Sequence, residues 1–437
     1  MSRRNHRSAL SLFCGLLSSV ACARAFALQP VEKFLEAARH ANHDNRESAA
    51  STTQRVAEVD VAKGRLYPSF SAAGTYTRNQ YEVSLVLPAE LGGGNGEKLI
   101  IQPQNQLDGT LTINLPVVDI GAWRRVSAAN ATANAAQANQ KAIQQDVEIS
   151  VFRSYYQLLG QEAVLEAAKR TLDLLRKNLL QVQDKLASGT ASELDVQRAR
   201  AEIARAEGDL ASSDLAVVTA RRQLATATSI EPEPASEFLD DDLHEEPPLQ
   251  SWLANAATTP RAAAAHATQL AAAKQADAAE AAWFPTLSAS AQERFTNATG
   301  FSGHTAVYLL QATLAWRLDA TLSPSVRAQN AAANASLIRS ERARRIAQDT
   351  IFQAWHQVRA AIEKSRAARV QISASALAAE LARDRYSVGA ATQLEVVQAQ
   401  QDAFRAEVAR IQADTDLAYA RAALRTSAGH VGERNTP

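Results

Sequence analysis

The chain is poor in most of what organises a compact globule around an active site. Only two cysteines occur, Cys14 and Cys22, both among the first residues. Beyond them a disulfide, a thiolate nucleophile and a cysteine metal site are excluded. Aromatics make up 5% of the 437 residues, with 17 glycines and 13 prolines. That scarcity removes both the bulky side chains of a deep core and the breakers that cut a chain into short elements. The formal net charge is zero, so no basic face invites nucleic acid. After the first residues no run is apolar enough for a transmembrane helix. There is no HExxH, no G-x-S-x-G and no phosphate-binding loop, and no cofactor is called for. His40 and His43 stand three apart without an associated acid and read as surface residues.

What is abundant is alanine, the best helix former, together with a repeated sentence. "LASGTASELDVQRARAEIARAEG" (186–208) returns as "YSVGAATQLEVVQAQQDAFRAEV" (386–408). Gly189 pairs with Gly389, Leu194 with Leu394, Val196 with Val396, and Leu224 with Leu424, all at one constant offset without a gap. A fixed offset held over many helical turns indicates duplication.

The first residues read as an export signal covering 1–27. Arg3, Arg4 and Arg7 form its basic start, "ALSLFCGLLSSVACA" its apolar run, and Ala25-Phe26-Ala27 its cleavage site. Cys22 has an alternative reading as a lipid-attachment cysteine after Val20-Ala21.

Each half then follows one plan of helix, extended region, long helix, short turn and long helix. The first repeat covers 28–228 and the second 251–428. An acidic, proline-rich linker at 229–250 separates them, and a tail follows at 429–437. The linker's acid run Asp240-Asp241-Asp242 reads as solvated charge rather than a cation site. One helix is expected from Val31 to just before Pro68. A second runs from Gly121 to about Leu186, roughly 100 Å at 1.5 Å per residue, and its counterpart from about Pro324 to Arg385. Val196, Ala199, Ile203, Ala206, Leu210, Ser213, Val217, Ala220 and Leu224 alternate steps of three and four, a seam facing a partner helix. In the second copy Arg410 interrupts that seam.

The extended regions carry a period of two. Leu107, Gly109, Leu111, Ile113 and Leu115 share one face against Asp108, Thr110, Thr112 and Asn114. Leu310, Ala312, Leu314, Trp316 and Leu318 likewise oppose Gln311, Thr313, Ala315 and Arg317. The pattern fits strands of a membrane barrel with an apolar outside, or a soluble antiparallel sheet with one buried face. Two hairpins supply about four strands, too few to close the smallest membrane barrel. An open edge in lipid would strand backbone groups, so membrane strands require several chains in one barrel.

The paired turns "ASGTASELDVQRAR" and "SVGAATQLEVVQAQ", the strand openings "YPSF" and "FPTL", and "LPVVDIGAWRRVSAANA" resemble the TolC-type outer-membrane efflux proteins. The resemblance spans essentially the mature chain. It implies an α+β fold: a homotrimer whose four strands per chain make a twelve-stranded barrel, continued by helices as a periplasmic tunnel. It also implies a passive exit duct in the outer-membrane lipid for small molecules or proteins, as in tripartite efflux or type I secretion. A periplasmic adaptor and an inner-membrane transporter would be its partners. By the same resemblance Ser188-Gly189-Thr190 and Val388-Gly389-Ala390 are turns where the adaptor docks, although Ser188 departs from the family motif. Glu395 falls at a family constriction acid and Gln398 at the next, where the acid is absent. Asp195 matches an acid that pairs with a basic residue two positions beyond the second glycine. Ala391 stands there, so that closing ion pair is expected to be missing. Glu395 also reads as a plain solvated helix charge. A periplasmic coiled-coil adaptor is the alternative for the whole chain, weakened by the two hairpins and two extended inserts.

Overall fold

The computed structural model describes residues 28–86, 98–234 and 241–429. The export signal with both cysteines, Asp240 and residues 430–437 lie outside the described residues. So does all but the last residue of the glycine-rich breaker in the first extended region.

In the first half, α1 (Val31–Ala41) and α2 (His43–Gly64) precede β1 (Ser69–Arg78), β2 (Val83–Val86), β3 (Lys98–Gln102) and β4 (Asn105–Val118). The long helices α3 (Ile120–Ala187) and α4 (Glu193–Thr228) follow. The second half runs through α5 (Leu249–Leu253), α6 (Pro260–Glu280), β5 (Thr286–Thr296), β6 (Ala306–Ala315), α7 (Leu322–Ser387) and α8 (Gln393–Ser427). The expected single helix at the start is two. Asn42 takes an extended conformation (ψ 136°), accepts from the Asp44 N–H and donates to the Ala227 carbonyl at 3.0 Å. That side chain replaces the helical bonds lost at the break.

The 68 residues of α3 and the 66 of α7 give rods of about 100 Å each. Asp119 caps α3 by accepting from the Ala122 N–H at 2.7 Å. Each rod folds back as a hairpin, α3 with α4 and α7 with α8. Val196, Ala199, Ala206, Val217, Ala220 and Leu224 are buried along the first seam. Leu224 and its repeat Leu424 are fully buried, one in each of two separate apolar clusters. Arg410 is accommodated because Asp414, 3% exposed, accepts from it at 3.1 Å. Asp414 also accepts from Ser365 and lies 3.6 Å from Arg369. The second seam therefore carries a buried polar cluster at Arg410, whereas the matching Leu210 of the first packs against an apolar one.

Four strands form one antiparallel sheet in the order β1-β4-β5-β6, and β2 with β3 make a separate small hairpin that the sequence pattern did not reveal. The register joins the two apolar stripes. Ile113 stands opposite Phe70 and Ala291, and Ala291 opposite Leu310. The other face presents mainly Ser, Thr, Gln and Asn, with Asp108 and Arg294 among them and Val307 and Leu309 on β6. Two charged residues break the rule on the apolar side: Glu293 lies between Leu111 and Tyr308, and Arg78 stands at the end of β1. β1 and β6 are left as edges.

The linker is not simply solvated. Arg421, 5% exposed, meets Glu246 at 2.6 Å, His244 Nε2 at 2.6 Å and Asp241 at 3.0 Å. Arg369 donates to the Asp241 carbonyl and the Trp355 indole to the Pro247 carbonyl. Residues 241–248 are thus a strap tied across α7 and α8. Asp241, Asp242 and His244 do cluster at metal-ligand separations, but Arg421 already binds Asp241 and His244, and Asp242 lies 2.6 Å from His244 Nδ1.

Candidate functional site: the paired hairpin tips

The two turns are built alike because their sequences repeat. Gly189 has φ +75° and Gly389 φ +78°, values that side chains with a Cβ rarely adopt. In the first turn the Thr190 N–H returns to the Lys185 carbonyl at 2.8 Å, and in the second the Ala390 N–H to Arg385 at 2.7 Å. Ser192 then caps α4 in a reciprocal box. Its hydroxyl accepts from the Asp195 N–H, and the Asp195 carboxylate accepts from the Ser192 N–H at 3.1 Å. Thr392 caps α8 by accepting from the Glu395 N–H at 3.3 Å.

Both tips point away from the protein. A Cβ added at either glycine meets nothing within 4 Å, and Val388 is 78% exposed. Ser188 and Thr190 bond each other at 3.1 Å and both reach the Lys185 carbonyl. The first turn is thereby tied internally, whereas Ala390 at the second offers no hydroxyl.

Asp195 is half-buried and held by Ser192, with Arg198 at 3.9 Å. Among the described residues it makes no ion pair with the second hairpin. Glu395 and Gln398 are exposed on one face of α8, opposite the buried Val396, Val397 and Gln400. Among the described residues no side-chain partner is found for Glu395.

The contact that does join the tips comes from Lys185. Its ammonium donates to the Tyr386 carbonyl at 2.6 Å and lies 3.9 Å from the centroid of the Tyr386 ring. Burial first, and the nearby Asp195 charge second, push the Tyr386 phenol above its ordinary value, so it stays neutral and its ring remains a cation acceptor. Further along, Gln401 donates to Glu202 at 2.6 Å and Arg170 to Glu407 at 2.7 Å. Sequence reasoning missed Lys185. The available signal was its repeat, Arg385, one turn before the second glycine, which instead bonds its own turn at the Ala390 carbonyl. His40 and His43 are exposed on α1 and α2.

The family model described as "Outer membrane efflux protein" matches residues 34–229 and 255–430. Part of the chain is similar to the cobalt-zinc-cadmium resistance protein CzcC of Cupriavidus metallidurans, 28% identical over 117 residues. That match spans 26% of this chain and only 28% of the relative's length. The fold is similar to that of the Campylobacter jejuni CmeC outer membrane channel, with TM-score 0.78 and 14% identity, covering 92% of this chain and 86% of that one. It is also similar to the outer membrane protein VceC of Vibrio cholerae, with TM-score 0.74 and 17% identity, covering 91% and 96%. These matches set aside the periplasmic-adaptor alternative.

Proposed function

We propose, from the premise that the chain belongs to the outer membrane efflux protein family, that its two hairpin tips are where a periplasmic adaptor docks. The chain is an outer-membrane channel with its helical part in the periplasm. Members of the family act as homotrimers with adaptor and pump partners. The observation that carries the docking reading is the pairing of two like-built, outward-pointing turns. Ser188-Gly189-Thr190 and Val388-Gly389-Ala390 stand at the ends of neighbouring hairpins and leave Val388 and both glycines uncovered. An exposed valine beside two open glycine turns suits a small apolar helix tip as partner.

In the same reading Glu395 forms a ring of three at the tunnel entrance, Gln398 adds no second ring, and Asp195 stays with its own cap. Lys185 takes over the link between hairpins that Ala391 leaves vacant. Divalent metal cations are the first cargo class to assay, on the strength of the partial match to CzcC.

Gly389→Val tests the docking. It forces a β-branched residue to φ near +78°, a strain of about 1–2 kcal/mol, at a position where an added Cβ meets nothing within 4 Å. We expect normal amounts of trimer in the outer membrane, with adaptor crosslinking and efflux both reduced. Unchanged crosslinking and efflux would count against the tips as the docking site.

A further inference from the structure

The four-stranded sheet contains only four charged residues, Arg78, Asp108, Glu293 and Arg294. Alternation puts Arg78 and Glu293 on the apolar side and the other two on the polar side. Thr110 stands opposite Arg294 and Thr296 opposite Asp108, so Asp108 and Arg294 are diagonal neighbours on one face. Arg294 Nε donates to Asp108 Oδ1 at 3.0 Å and Nη2 to the same oxygen at 2.6 Å. Gln106 Nε2 holds the second carboxylate oxygen, Oδ2, at 2.6 Å. In a barrel with its apolar side to lipid, the polar face lines the lumen. The pair is near the end of the strands remote from the long helices, towards the exit.

We infer that Asp108 and Arg294 set the charge preference of the barrel lumen. Around them the sheet's lumen face is uncharged, and their mutual neutralisation keeps this part of the duct indifferent to the sign of its cargo. Three copies give three closed pairs. Removing one partner leaves three like charges facing one aqueous space, where they concentrate counter-ions. The Arg294 side chain is 49% exposed and that of Asp108 16%, so an unpaired guanidinium would project further into the lumen. Asp108, freed of Arg294, would still be positioned by Gln106.

The test is the reversal potential of purified trimers in planar bilayers under a potassium chloride gradient. At about 10 mM salt the Debye length is ~30 Å, and at 1 M it is ~3 Å, so dilute salt exposes the effect and concentrated salt abolishes it. Asp108→Asn is expected to shift selectivity towards anions, and Arg294→Gln towards cations, each by at least twofold in permeability ratio. Asp108→Asn/Arg294→Gln should return to the wild-type value. The reversed pair, Asp108→Arg/Arg294→Asp, keeps an ion pair should a single variant fail to assemble, and should also match wild type. If the singles assemble and leave the potential unchanged, or shift it in the same direction, the pair is a strand-to-strand brace only and the inference fails. A reversed pair that departs from the wild-type potential overturns it equally.

Discussion

Gly160 lies in the middle of α3, where a glycine costs a helix about 1 kcal/mol relative to alanine. The compensation lies on α8. A Cβ built on Gly160 would stand 2.7 Å from Thr415 Oγ1 and 3.2 Å from its Cγ2. Thr415 cannot swing away freely, because its hydroxyl bonds back to the Ile411 carbonyl at 2.7 Å. The glycine therefore lets the two hairpins approach. Gly160→Ala is expected to destabilise by about 1–3 kcal/mol through overpacking, despite its gain in helix propensity. Adding Thr415→Ala should recover most of the loss. Melting of the detergent-solubilised trimer measures both, and a single variant as stable as wild type would refute the close-approach account. The same lesson applies to Lys185. Its hydrogen-bonding partners are main-chain carbonyls, which leave no signature in sequence, so residue-level reasoning found the turns but not the clasp between them.

At the scale of elements, the strand faces decide what meets lipid. The register makes Ile113 a more informative position than Leu111, because Leu111 stands opposite Glu293 and an arginine there would find an ion partner. Ile113 is flanked by Phe70 and Ala291. Ile113→Arg should cost roughly 2–4 kcal/mol if it lies near the midplane, whereas Thr112→Arg on the lumen face should cost far less. Folding yields into lipid vesicles separate them, and equal yields would mean that the sheet does not present this face to the bilayer. The long helices were legible because no proline interrupts the alanine-rich stretch between Gly121 and Leu186. The break at Asn42 was not, since the helical pattern continues across it and only a side-chain bond to Ala227 shows the turn. The β2–β3 hairpin was hidden by its shortness and by the glycine-rich stretch inside it. The strap at 241–248 looked solvated because its acids find their cation, Arg421, on a helix far along the chain.

At the scale of the molecule, one chain is unfinished. Among the described residues no helix is long and apolar enough to cross a membrane, and the sheet ends in two open edges, β1 and β6. Apolar side chains also stand uncovered on the long helices, including Leu215 and Val218 on α4 and Ile338, Ile346 and Phe352 on α7. Three copies resolve both problems at once: twelve strands close, and helices of neighbouring protomers cover one another. Closure requires β1 of one protomer to pair with β6 of the next. β1 leads away from the helices and β6 returns to them, so that pairing is antiparallel, like every other in the sheet. No cysteine occurs beyond Cys22, so residues 28–437 offer no competing thiol. Cysteines placed on the lumen face of β1, at Ser71, Ala73 or Thr75, and of β6, at Leu309, Gln311 or Thr313, should therefore crosslink only between protomers. A disulfide needs Cβ atoms about 3.8 Å apart. The combinations cover five successive antiparallel registers, and at least one combination should match the one across the junction. That combination should give dimer and trimer bands on non-reducing gels that collapse on reduction. Intact native trimers that yield only monomer in every combination would show that β1 and β6 do not meet, and the barrel would have to close some other way.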